Sequence, residues 1–275
     1  MLKQTLISSL VAFSLAQVAA PAGAQEAVSP GGSTIYNHGP TKEFRPTENF
    51  PRHYDEITAH LESFLGDDYF VLHELVSDKV HLDVLIFPPS QDRQTWVLVT
   101  CGMSDLPMSV PAGIEDREAY EHSEMVITLP GDWFTQTGDG QIPEAQMREE
   151  KTYWPVRQIK SLGRLPHDYE TWLYYWHTIP NGNPALPFAD NTGFTGVMLL
   201  PPLSWPPEKE AIQTGSGVKI SFLGVYPLYE EEMDIKLQYG ADKLIDLFEK
   251  AGVSDLVEIA RVNTAKFLTE GSVTE

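Results

Sequence analysis

The chain has a single cysteine, Cys101, in 275 residues. No intramolecular disulfide is possible, so the fold must rest on its apolar core. Cys101 closes the run Trp96-Val97-Leu98-Val99-Thr100, where a thiol is expected to be buried and inert. Basic residues are scarce as well: 19 Lys and Arg stand against 39 Asp and Glu, a net charge of −20. Phosphate contacts need clustered Lys and Arg, which argues against nucleic acid as a partner and, for the same reason, against an anionic membrane surface. A basic protein partner suits this field, because opposite charge accelerates encounter.

Catalytic motifs are missing too. Gly102-Met103-Ser104-Asp105-Leu106 begins as Gly-x-Ser but ends in Leu, so it is not the nucleophile elbow of an α/β-hydrolase. His73-Glu74 lacks the second histidine of a zinc-binding H-E-x-x-H. There is neither a P-loop nor a G-x-G-x-x-G after a strand, and Gly215-Ser216-Gly217 reads as a turn. His81 and Asp83 fall on one strand face, but a metal would need further ligands from elsewhere. No metal and no cofactor are predicted.

What is present is core material. Apolar residues make up 42% and aromatics 11%, with six Trp, a composition that disordered chains do not have. Lys3, the uncharged stretch Thr5 to Ala20 and the small-x-small triplet Ala22-Gly23-Ala24 match a secretory signal over residues 1–24, cut between Ala24 and Gln25. The stretch is too short and too rich in Ser and Gln for a transmembrane helix. Loss of Lys3 leaves the mature chain more acidic still. Residues 25–50 read as an extended arm, and residues 51–275 as one folded domain.

Within that domain Pro51 opens a helix ending at Gly66. Strands follow over Tyr69–Leu75, Val80–Phe87, Gln94–Cys101 and Glu124–Leu129. In the second, Val80, Leu82, Val84 and Ile86 share one face; His81, Asp83, Leu85 and Phe87 share the other. Residues 135–150 read as an exposed loop. A helical stretch from Trp154 towards His177 is expected to break near Gly163–Pro166. A loop covers 180–194. Strands at Gly196–Leu200 and Gly217–Val225 precede a helix from Glu230 to Gly252, and Val257–Val262 reads as a last short strand. Strands and helices mix without strict alternation, which predicts an α+β fold, a mixed sheet with flanking helices.

The collinear order of these patterns resembles the Suppressor of fused domain. It runs from Val80-His81-Leu82-Asp83-Val84 through Trp96 to Leu106 and the strand Ser123-Glu124-Met125-Val126-Ile127-Thr128-Leu129. Trp154-Pro155, Gly196–Leu200, Gly217–Leu223 and the Glu230–Phe248 helix continue it. The resemblance covers roughly residues 50–265 and implies protein binding without catalysis. The animal member sequesters a transcription factor, taking up an extended peptide near the strand that ends in the Ser-Asp motif. Bacterial members resemble immunity proteins that neutralise a toxin encoded nearby. By this resemblance Gly102, Ser104, Asp105 and Leu106, with His81 and Asp83, are the candidate contact positions. Two other functions stay open from the residues alone. One is a periplasmic hydrolase using Ser104 with His73, His81 or His122. The other is a small-ligand module using the aromatic run Trp172, Tyr174, Tyr175 and Trp176. The signal places the protein in the periplasm or outside the cell; a mis-assigned start codon would place it in the cytoplasm.

Overall fold

The computed structural model describes residues 25–270 apart from residues 40, 42–43, 48–49 and 139. The signal segment with Ala24 lies outside the described residues, and Gln25 opens the first strand. In chain order the elements are β1 (Gln25–Val28), β2 (Thr34–Asn37), β3 (Pro46–Thr47), α1 (Tyr54–Leu65), β4 (Phe70–Leu72), β5 (Ser77–Asp78), β6 (Asp83–Phe87), β7 (Thr95–Cys101) and β8 (Ser123–Pro130). Then come α2 (Glu144–Arg148), α3 (Glu150–Tyr169), β9 (Thr178–Pro180), β10 (Gly196–Leu200), β11 (Ala211–Gln213), β12 (Lys219–Leu228), α4 (Glu230–Tyr239), α5 (Ala241–Ala251) and α6 (Lys266–Glu270).

An 8-stranded sheet in the order β4-β6-β7-β8-β12-β10-β9 forms the centre, with β11 on β12. The β8–β12 pair is parallel and the others are antiparallel, so the sheet is mixed and the fold α+β. The period of two decides the faces. Leu82, Val84, Ile86, Leu98, Met125, Ile127, Leu223 and Val225 join Trp154, Ile159 and Leu162 of α3 on one side. Leu85, Phe87, Val97, Val99 and Phe222 meet Ile57, Leu61 and Leu65 of α1 on the other. Further along that second side, Met198, Leu200, Tyr226 and Leu228 pack on α4 and α5. Covered on both faces, β6 is buried at every position.

Several expectations fail, each for a local reason. The α3 helix runs unbroken through Gly163 and stops at Tyr169. Gly163 is there for clearance: a Cβ would come within 2.9 Å of Leu82 Cδ2. The aromatic run 172–176 therefore lies in the segment after the helix. Residues 135–150 include the short helix α2. The predicted Glu230–Gly252 helix is two helices, parted at Gly240, whose φ of 91° is open to glycine alone at little cost. Residues 257–262 form no strand; Val257 N–H only donates to Thr128 O (2.9 Å).

Both ends of the described part of the chain are tied to this body. The β1–β2 turn seats on the α4–α5 junction, where Gly31 N–H donates to Leu237 O (2.7 Å). Pro46–Thr47 pairs with Ser77–Asp78. At the other end, fully buried Glu232 receives a bidentate Arg261 (2.6 and 2.6 Å) together with Thr264 N–H and Oγ1–H. The Arg261 guanidinium also lies over the rings of Phe194, Tyr229 and Phe248. Arg261→Ala strands the Glu232 charge in the interior and is expected to cost about 3–5 kcal/mol. Urea unfolding would show this as a fall in midpoint; an unchanged midpoint would contradict the clasp.

Candidate binding site

The ladder between β7 and β8 stops at Val99↔Val126. Beyond it the strands part, and side chains take over the backbone's hydrogen bonds. Thr100 Oγ1 accepts Met125 N–H (2.8 Å) and donates to Glu124 Oε2 (2.6 Å). Glu124 is 0% exposed. Its Oε1 accepts Gly102 N–H (2.9 Å), Ser104 N–H (3.0 Å) and Ser104 Oγ–H (2.6 Å). Residues Met103–Asp105 form a 3-10 turn around this carboxyl. Burial pushes the Glu124 pKa up to about 7, against the pull of those hydrogen bonds towards ionisation.

The outer side of the turn is fixed as firmly. His122 Nδ1–H donates to Ser104 O (2.7 Å) and His167 Nε2–H to Met103 O (2.9 Å). Arg52 N–H reaches both Asp105 oxygens (2.9 and 3.0 Å). Burial raises the Asp105 pKa and lowers that of His167. Gly102 has φ 119°, and a Cβ there would sit 1.8 Å from His81 O, so no other residue fits.

The proposed contact positions thus come together. Asp83 pairs with Cys101 across β6–β7. Its buried carboxylate accepts His81 Nε2–H (2.9 Å), His73 Nδ1–H (3.0 Å) and Glu74 N–H (2.9 Å). His81 contacts Gly102 through its carbonyl. Strand β6 begins at Asp83, so His81 precedes it rather than sharing its face. Ser104 is fully buried with its hydroxyl on Glu124. His122 binds its carbonyl instead, and His73 and His81 both face Asp83, so none of the three histidines proposed as a base pairs with Ser104 Oγ. Leu106 is 38% exposed, the apolar side chain the turn offers to solvent. Phe50, 57% exposed, stands two residues before Arg52 on the neighbouring segment. Among the described residues no group of three or more His, Cys, Asp or Glu is arranged to hold a metal. Of the aromatic run, Trp172 packs on His177 (ring centroids 4.6 Å apart) and Tyr174 on Tyr120 (4.6 Å).

Sequence reasoning missed the residues that organise this site: Glu124, Thr100 and His167, and it had His122 in another role. One signal was legible. Glu124 is the one charged residue in a mostly apolar strand, and such an acid needs donors.

A mixed sheet with helices on both faces and a strand ending in a glycine-led turn defines the class of fold. Residues 78–262 match the family described as Suppressor of fused protein (SUFU), and the chain belongs to that family. A SUFU homologue from Neisseria gonorrhoeae, solved at 1.40 Å, is 16% identical with a TM-score of 0.53, covering 76% of this chain and 95% of that one. A chain of the Sufu–Fu complex is 13% identical with a TM-score of 0.55, covering 81% and 96%. Drosophila Suppressor of fused is 12% identical with a TM-score of 0.52; the match covers 82% of this chain and 54% of that one. No curated protein sequence matches the chain.

Glu124→Ala leaves buried N–H and O–H groups without an acceptor and is expected to cost about 3 kcal/mol or more. Glu124→Gln keeps an oxygen for Gly102 and Ser104 and is expected to cost much less. Because the folded pKa lies above the ordinary 4.5, the folded chain holds a proton that the unfolded chain releases. Stability then falls as pH rises from about 4.5 to about 7 and levels off above, by up to about 3 kcal/mol. Chemical unfolding across that range is expected to show this slope in the parent and its loss in Glu124→Gln; equal slopes would contradict it.

Proposed function

We propose that the chain is a non-catalytic protein-binding module that sequesters or neutralises a protein partner. The observation that carries this reading is the Gly102–Leu106 turn. Its polar groups are spent on Glu124, His122, His167 and Arg52, while Leu106 remains available at the surface. A rigid turn with an exposed apolar residue loses little entropy when it docks. The Ser104 hydroxyl, committed to a buried carboxyl, is a poor nucleophile, which weighs against hydrolysis. One similar structure is a complex, Sufu with Fu, and the family resemblance suggests a partner that presents an extended peptide.

The net charge of −20 favours a basic partner, and the resemblance to bacterial immunity proteins favours a toxin encoded nearby. The N-terminal signal directs this encounter to the periplasm or beyond, where a toxin acting on cell wall or membrane is a better match than one acting on nucleic acid. If translation starts later, the same surface works in the cytoplasm. Among the described residues no helix is long and apolar enough to cross a membrane.

The test uses residues 25–275 as bait against lysate and secreted fraction of the source cells. One basic protein retained at low salt and released at high salt is expected. Leu106→Asp is expected to cut its retention about tenfold, or about 1.4 kcal/mol, while changing stability by no more than about 0.5 kcal/mol. No retained protein, or equal retention by parent and variant, would overturn the proposal.

A further inference from the structure

The strand order of the central sheet ends in β4 on one side and β9 on the other. An edge strand exposes backbone N–H and C=O groups that can pair with another chain, and folded proteins guard such edges with proline, lysine, a bulge or a covering segment. Strand β9 closes on Pro180, which has no N–H to offer. Strand β4, Phe70-Val71-Leu72, contains neither proline nor lysine. On one side it pairs with β6. Among the described residues, no backbone–backbone hydrogen bond outside that ladder involves residues 67–76. The outward N–H and C=O groups of β4 are therefore left without a backbone partner.

The side chains of this edge suit a further strand. Phe70 and Leu72 pack on the α3 side of the core, Tyr69 and Val71 on the α1 side, and all four are only partly buried. Apolar area thus reaches the rim on both faces, as beside a strand that is covered on both. Just past β4, Leu75 is 95% and Val76 74% exposed, the highest values of any large apolar side chain among the described residues. They stand on a braced connection. Before them, Glu74 accepts Leu82 N–H (3.1 Å), pairs with Lys160 (3.4 Å) and Arg164, and donates its own N–H to Asp83 (2.9 Å). After them, Ser77 Oγ–H donates to His81 Nδ1 (2.8 Å) and the Ser77 backbone pairs with Thr47. At the opposite end of β4, Asp67 and Asp68 are both exposed.

We propose that the outer edge of β4 docks an extended segment of a protein partner, added to the sheet as one more strand. The segment that fits carries consecutive apolar, β-branched or aromatic residues along Phe70–Leu72, because both faces of the rim are apolar. It carries Lys or Arg where it passes Asp67 and Asp68, and it meets Leu75 and Val76 at its other end. Backbone pairing supplies the affinity, and the flanking side chains supply the selectivity. The braced connection loses little entropy on docking. Charge selects this occupant over a second copy of the chain: each copy carries a net charge of −20, which opposes self-association and draws in a basic segment. The inference rests on the protein-binding reading but uses none of residues 102–106.

The test selects a phage-displayed library of random peptides against residues 25–275. Enriched peptides are expected to share a short β-branched or aromatic run next to Lys or Arg. Added to 15N-labelled protein, such a peptide is expected to slow amide exchange of the outward N–H groups of β4 by about tenfold or more. The double variant Asp67→Lys, Asp68→Lys is expected to weaken the peptide about tenfold, and Leu75→Asp by a similar factor. All three side chains are exposed, so the melting temperatures are expected to stay unchanged. Leu106→Asp is expected to bind the peptide as the parent does, so failure here is separable from failure of the 102–106 surface. No enriched peptide, protection that falls outside β4, or equal binding by the parent, the Asp67/Asp68 variant and the Leu75 variant overturns the proposal. A dimer of the chain alone whose β4 amides are already protected also overturns it, in favour of a second copy.

Discussion

The carboxyl of Glu124 occupies the point where β7 and β8 part, and the candidate surface depends on it. Hydrogen bonds alone would keep this group ionised; complete burial opposes that, and burial prevails. Below about pH 7 the carboxyl is mostly protonated and accepts the Gly102 and Ser104 amides without placing an uncompensated charge in the core. The turn is consequently built from the inside outward. Glu124 sets the path of residues 102–104, and that path leaves Leu106 at the surface.

The same economy governs the charges around it. Asp83 engages His73 and His81, Asp105 fixes Arg52, and Glu232 holds the C-terminal segment through Arg261. These acids are internal fasteners and do not feed the outward negative field. The field that would steer a basic partner comes from exposed acids such as Glu230, Glu231 and Asp234 on α4. Fastening and steering are therefore separate jobs done by the same residue types, distinguished by burial.

The strands were legible in the sequence because a period of two is hard to disguise. Leu82, Val84 and Ile86 fall on one face, and Leu85 and Phe87 on the other, as their alternation requires. Glycine was read less well. Gly163 looks like a helix breaker but serves helix–sheet clearance, whereas Gly240 divides what periodicity presents as one helix. Composition tells neither case from the other, because one turns on a side chain distant in sequence, Leu82, and the other on a backbone φ of 91°. The Gly102–Leu106 turn was found through its family pattern, but its supports were not. Glu124, His122 and His167 each reach it from another element, and single polar residues carry no periodic signal.

The central claim, that the buried Glu124 carboxyl holds the turn in one shape, is most directly tested by following the Gly102 and Ser104 amide resonances with pH. Both are expected to titrate together with a midpoint near 7, as the shared acceptor Oε1 changes charge. Resonances that do not move, or that move separately near the ordinary 4.5 of glutamate, would contradict the account.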